Sequence, residues 1–148
     1  MKHVGPAVLV AVAMLASVVG AAQAAAPRIV IVTGASLDRR VVISDWNEIA
    51  TIVQGVATTG PVRDARPAAR PRLSVAMFWG PRWSEYLASG KPASALRPRQ
   101  AETYGVFYPA WRGRRAIIDL SGAGLSPRLV SAKALVILER YGIPIQLT

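Results

Sequence analysis

Three acids stand closest to the aromatic centre of this chain: Glu85, Glu102 and Asp119. A pair of carboxylates can act as general acid and base, as in glycoside hydrolysis, so these residues have the types that could carry a reaction. Little else has. The one histidine is His3 and there is no cysteine. Beyond residue 3 that removes a Ser-His-Asp triad, a thiol nucleophile, and zinc sites built from imidazole or thiolate. No remaining side chain titrates near neutrality without a large environmental shift. The Gly-rich stretch SGAGLS (121–126) has neither the lysine of a P-loop nor a complete G-x-G-x-x-G. No D-x-[DN]-x-[DN] calcium loop occurs either. The sequence therefore gives no reason to expect a cofactor or a metal. Strand alternation turns Asp119 away from Ile118 and Leu120. If that face is covered it needs a partner, for which Arg115 or Arg82 would serve. Glu85 is expected to pair with an arginine or to face water.

The second available chemistry is binding. Eight of the ten aromatic residues fall between Phe78 and Trp111, and rings with interleaved arginines suit a polymer or glycan surface. Trp111 lies in a polar, basic turn, which makes it the first candidate for a contact residue. Tyr108 is next, and Arg112, Arg114 and Arg115 complete the basic cluster. Periodicity assigns most of the other rings to the interior: Met77, Trp79, Trp83, Tyr86, Leu87, Val106 and Tyr108 are expected to form one continuous cluster, with Phe107 also in the core.

These residues need elements to hold them. Residues 28–33 (RIVIVT) form a β-branched run suited to a strand covered on both faces, and 41–44 (VVIS) a second strand in a hairpin with it. Asp45 and Glu48 have capping-box spacing. Trp46, Ile49, Ala50 and Val53 make one apolar stripe on a helix ending near Gly55. Residues 58–72 (TTGPVRDARPAARPR) lack periodicity and read as a mobile, solvated loop. Leu73, Val75, Met77 and Trp79 alternate with other residues along a strand that Gly80-Pro81 ends. A short helix follows, with Trp83, Tyr86 and Leu87 on one face and Gly90 as its left-handed cap. After an irregular connection, 103–108 and 115–120 read as a hairpin of strands, with Gly105 leaving space for a neighbouring ring. Ser131 caps a last helix that Gly142 terminates. The order β-β-α-β-α-β-β-α predicts an α+β fold: an antiparallel sheet of about five strands with two or three helices packed on it.

The start of the chain is different. Met1 to His3 is basic, Val8 to Val19 is apolar, and Ala22-Gln23-Ala24 offers an A-x-A cleavage site. That is the layout of a secretory signal peptide, residues 1–24, with an uncleaved anchor as the alternative. The remaining 25–148 are enough for a single small domain. The expected location is the periplasm or the medium, with no transmembrane segment after cleavage. Eighteen Lys and Arg oppose eight Asp and Glu. This excess reflects either arginine-rich genomic composition or attraction to anionic envelope components. An exported chain does not meet DNA or RNA, so no nucleic-acid partner is expected.

The segments FWGPRWSEYLASGKP, LRPRQAETYGVFYPAWRGRRAIIDL and SAKALVILERYGIP, with IVTGASLDRRVVISD upstream, resemble a set of small exported bacterial proteins of unknown function. In these a W-G-P-x-W segment precedes an F-Y-P-A segment and a closing helix. The resemblance implies no activity and carries over no functional residue. Three readings follow from the sequence. One is a non-catalytic binding or assembly module whose partner is a protein, a glycan or an anionic envelope component. The second is a hydrolase using Glu85, Glu102 or Asp119. The third is a basic module docking on an anionic envelope polymer.

Overall fold

A computed structural model describes residues 26–58, 62 and 70–147. The signal-peptide segment and most of the 58–72 loop lie outside them. Eight strands are present among the described residues: β1 (Ile29–Thr33), β2 (Val41–Ile43), β3 (Leu73–Phe78), β4 (Thr103–Tyr108), β5 (Ala110–Trp111), β6 (Ile117–Asp119), β7 (Arg128–Leu129) and β8 (Gln146–Leu147). Three α-helices accompany them: α1 (Trp46–Thr58), α2 (Pro81–Ala88) and α3 (Ala132–Arg140). Six strands form one antiparallel sheet in the order β2-β1-β3-β4-β6-β7. β5 and β8 make a separate parallel pair. The fold is α+β, and the five expected strands all belong to the main sheet. The sixth, β7, and the β5–β8 pair are two residues long each, too short to leave a periodic trace.

The sheet is covered on both faces. On one, Val30, Val32, Leu73, Val75, Met77, Phe107 and Ile118 pack against Ile49 and Ile52 of α1 and Ala134, Ile137 and Leu138 of α3. On the other, Ile29, Ile31, Ala76 and Phe78 meet Trp83 of α2 and Leu96. This explains why β1 reads as an uninterrupted apolar run. It also corrects the expectation of one continuous aromatic cluster. Met77 and Trp79 belong to the α1/α3 side, and Trp83, Tyr86 and Leu87 to the α2 side. Alternation along β3 sends neighbouring side chains through opposite faces of the sheet. A cavity of about 30 Å³ between the sheet and α1/α3 is lined by apolar residues such as Val75, Met77 and Leu138. A water there would find no polar partners.

Capping holds the helices in register. The Asp45 side chain accepts the Glu48 N–H at 3.1 Å, and Ser131 Oγ accepts the Ala134 N–H at 3.2 Å. The Glu48 carboxylate does not complete a capping box. It takes the Tyr141 hydroxyl and the Arg140 guanidinium at the far end of α3 instead. α1 also runs through Gly55 to Thr58. A Cβ on Gly55 would lie 2.2 Å from Ser131 Oγ, so the glycine serves close helix approach and does not end the helix. Gly105 likewise makes no room for a ring: a Cβ there would lie 2.7 Å from the Asp119 carbonyl oxygen and 2.8 Å from Leu120 Cδ2.

Candidate anion-binding site

The three acids sit in three different environments. Glu85 is exposed on α2. Glu102, just before β4, accepts the Trp79 backbone N–H at 3.0 Å, the Trp83 indole N–H at 2.8 Å, and the Arg82 guanidinium through Nε at 3.1 Å and through Nη2. Burial pushes its carboxyl pKa up, but these donors outweigh that and hold it below the usual value. Asp119 is 5% exposed, and its Oδ1 accepts the Ser121 N–H at 3.0 Å. Arg82, considered as its partner, is paired with Glu102. The exposed Glu102 and the buried Asp119 thus each have a local structural task. Among the described residues no three His, Cys, Asp or Glu side chains gather where they could hold a metal ion.

The rings of the 77–92 segment pack into the fold: Phe78 and Trp83 are buried, and Trp79 and Tyr86 half-buried. The Gly80 φ of 97° lets the chain turn from β3 into α2, with Pro81 at the first helical position. Trp83 packs edge-on against Phe78 at 4.9 Å and against Tyr86 at 5.9 Å. Trp79 is half-buried and donates its indole N–H to Thr103 Oγ1 at 2.7 Å. Tyr108 is 5% exposed, with the Arg70 guanidinium 5.8 Å from its ring centroid. It therefore offers no free ring to a ligand, which corrects its reading as a contact residue and agrees with its interior one. The aromatic most open to solvent is Tyr104, at 49%.

The basic residues do come together. Trp111 and Arg114 exchange backbone hydrogen bonds of 3.0 and 2.9 Å around a two-residue turn. Its central residues, Arg112 (φ 48°) and Gly113 (φ 77°), both have positive φ, the pattern of the tight hairpin turn that favours Asn-Gly. Arg112 is the one described non-glycine residue with positive φ. Its guanidinium stacks on Trp111 at 4.4 Å. Trp111 is half-buried, and β8 holds it from the other side through the β5 pairing and the Ala110 N–H to Ile145 carbonyl bond of 2.9 Å.

Beside this turn is an open pocket of about 360 Å³, lined by Val62, Arg70, Arg114, Arg115, Ile117 and Leu129. Arg70 comes from the segment read as a solvated loop, yet it is 5% exposed. Its Nη2 donates to the carbonyls of Pro109, at 2.9 Å, and Arg115. Its Nε is buried and has no partner. Burial and the neighbouring Arg114 charge lower its pKa, while the Tyr108 oxygen opposes them. Sequence reasoning found Arg114 and Arg115 by their clustering but missed Arg70. Its carbonyl partners lie 39 and 45 residues away, and no local pattern announces them.

No family model, curated protein or solved structure matches this chain.

Proposed function

We propose that this chain is an exported, non-catalytic binding module that takes an anionic partner at the arginine-rich end of its sheet. The observation that carries the reading is Arg70. A buried guanidinium with an unpartnered Nε lines an open pocket together with Arg114 and Arg115. Burying a charge without full pairing is costly, and an anion in the adjoining pocket offsets part of that cost through its attraction to the guanidinium. The strained Arg112 fits the same purpose, because unfavourable backbone conformations concentrate where a side chain must be presented. The export signal, the net charge of +10 and the likeness to small exported bacterial proteins support an envelope or extracellular setting. The hydrolase reading has less support, since Glu102 is saturated by donors and Asp119 is engaged in its own turn.

Retention on an anionic matrix such as dextran sulfate tests the proposal. Binding should be firm at low salt and collapse on reaching moderate salt, since screening over about 10 Å at 0.1 M weakens exposed charges. The triple change of Arg112, Arg114 and Arg115 to Ala should abolish it. Unchanged retention by a folded triple variant refutes the proposal.

A further inference from the structure

The pocket itself narrows the class of ligand. Among the described residues its lining divides into two chemistries: the guanidinium groups of Arg70, Arg114 and Arg115, and the aliphatic side chains of Val62, Ile117 and Leu129. Among the described residues no carboxylate lines it. Asp119 lies two residues beyond Ile117 on the same sheet face, but its Oδ1 is taken by the Ser121 N–H. A volume of about 360 Å³ is at the small end for ligand sites. It holds a headgroup and the first carbons of a chain, which is less than a polymer segment needs.

Resting on the binding-module reading, we infer that the pocket takes a phosphate monoester carried on a short apolar group. A phosphate offers enough acceptor oxygens to meet more than one arginine at once, with the geometric fit that guanidinium favours. Arg70 is the inner anchor. Its Nη2 donates to the carbonyls of Pro109 and Arg115, and the Tyr108 ring lies beside the guanidinium, so its orientation is fixed before any ligand arrives. Arg114 and Arg115 are exposed and close over the charge from the outside. The carbon chain covers Leu129 and Val62, both half-buried, along the floor formed by Ile117. The source of the ester is either a lipid headgroup or a soluble metabolite.

Calorimetric titration of the purified chain with inorganic phosphate, hexyl phosphate, hexanoate and hexanol tests this. Hexyl phosphate should bind about tenfold tighter than inorganic phosphate, through apolar burial, and hexanol should not bind. Hexanoate should be weaker than hexyl phosphate. Arg114→Gln, at an exposed position, should weaken hexyl phosphate about fivefold with an unchanged circular dichroism spectrum. Leu129→Ser should erase the advantage of hexyl over inorganic phosphate. Sedimentation with phosphatidic acid vesicles, compared with phosphatidylcholine vesicles, separates the two sources, and binding from either source upholds the pocket. Equal affinity for hexyl and inorganic phosphate, or hexanoate binding as tightly as hexyl phosphate, overturns the inference. So does a chain still retained on dextran sulfate that binds neither phosphate, in which case the broader reading survives. Loss of retention as well defeats both.

Discussion

The carboxylate of Glu102 accepts the indole N–H of Trp83 at 2.8 Å. The same group takes the Trp79 backbone N–H and pairs with Arg82. The end of β3, the first turn of α2 and the entry to β4 therefore meet on one side chain. An acid whose type suggests reactivity is spent as a junction, and its donors favour the charged form. This accounts for the W-G-P-R-W spacing. Trp79 offers its amide at the strand end, Gly80-Pro81 turns the chain, and Arg82 and Trp83 present two more donors on the following helix.

Glu102→Gln should destabilise the fold at pH 7 by about 1 kcal/mol, below the usual value for hydrogen bonds to a charged group because the carboxylate is partly open to solvent. The folded pKa lies below the unfolded one, so the ionised group's contribution is complete above the unfolded carboxylate value of about 4.3. It is lost as pH falls through the lower folded value. Urea titrations followed by tryptophan fluorescence should show this acid slope in the parent and a weaker slope in the variant. Identical curves would remove Glu102 from the junction.

Tyr141 provides the alkaline counterpart. Burial and the hydrogen bond to Glu48 raise its pKa to about 12. Its contribution is fully present below the unfolded value of about 10 and declines as pH rises through 12. Tyr141→Phe should flatten stability between those limits and cost about 1 kcal/mol at neutrality. Chemical denaturation at pH 8 and pH 11 gives the comparison.

How much of this was readable beforehand depends on the range of the interactions. β1, β3, α2 and α3 were visible because their signals lie within a few residues: β-branched runs, alternation, Pro at a helix start, Ser131 before an apolar stripe. The split of the aromatics between two faces was not visible. It depends on β3 having a helix on each side, which periodicity along one strand does not reveal. The clustering of Arg112, Arg114 and Arg115 was legible, and their pocket was not. Arg70 reaches it from a distant segment and is held by backbone carbonyls, which every sequence possesses equally. Tyr108 carries two readings in the sequence, interior and contact, and its burial beside Arg70 agrees with the first.

Arg112→Asn replaces a strained residue by one suited to positive φ ahead of glycine. Stability should rise by about 0.5–1 kcal/mol, within the cost of a left-handed conformation for an ordinary residue. Retention on dextran sulfate should fall. Thermal melts and salt-elution profiles on the same preparation measure both, and a variant that is less stable would show that the turn carries no such strain.

Gly105→Ala would drive a methyl group into the Asp119 carbonyl oxygen and Leu120. Separation of β4 from β6 should cost about 1–3 kcal/mol, as overpacking does. A denaturation midpoint unchanged from the parent would contradict that close approach.

The nearness of Gly55 to Ser131 reaches beyond local packing. Ser131 starts α3 by receiving the Ala134 amide, and its own bulk fills the notch that Gly55 leaves in the last turn of α1. One hydroxymethyl thus keys the two helices together, so neither can slide along the other by a turn without unseating it. Leu129, in the wall of the arginine pocket, stands two residues before Ser131, and the intervening Val130 donates its amide to the Ala116 carbonyl at 3.2 Å. The helix key and the wall of the cleft are thus moored to one short stretch of backbone, so a variant that unseats Ser131 should be felt by a guest as well as by the fold.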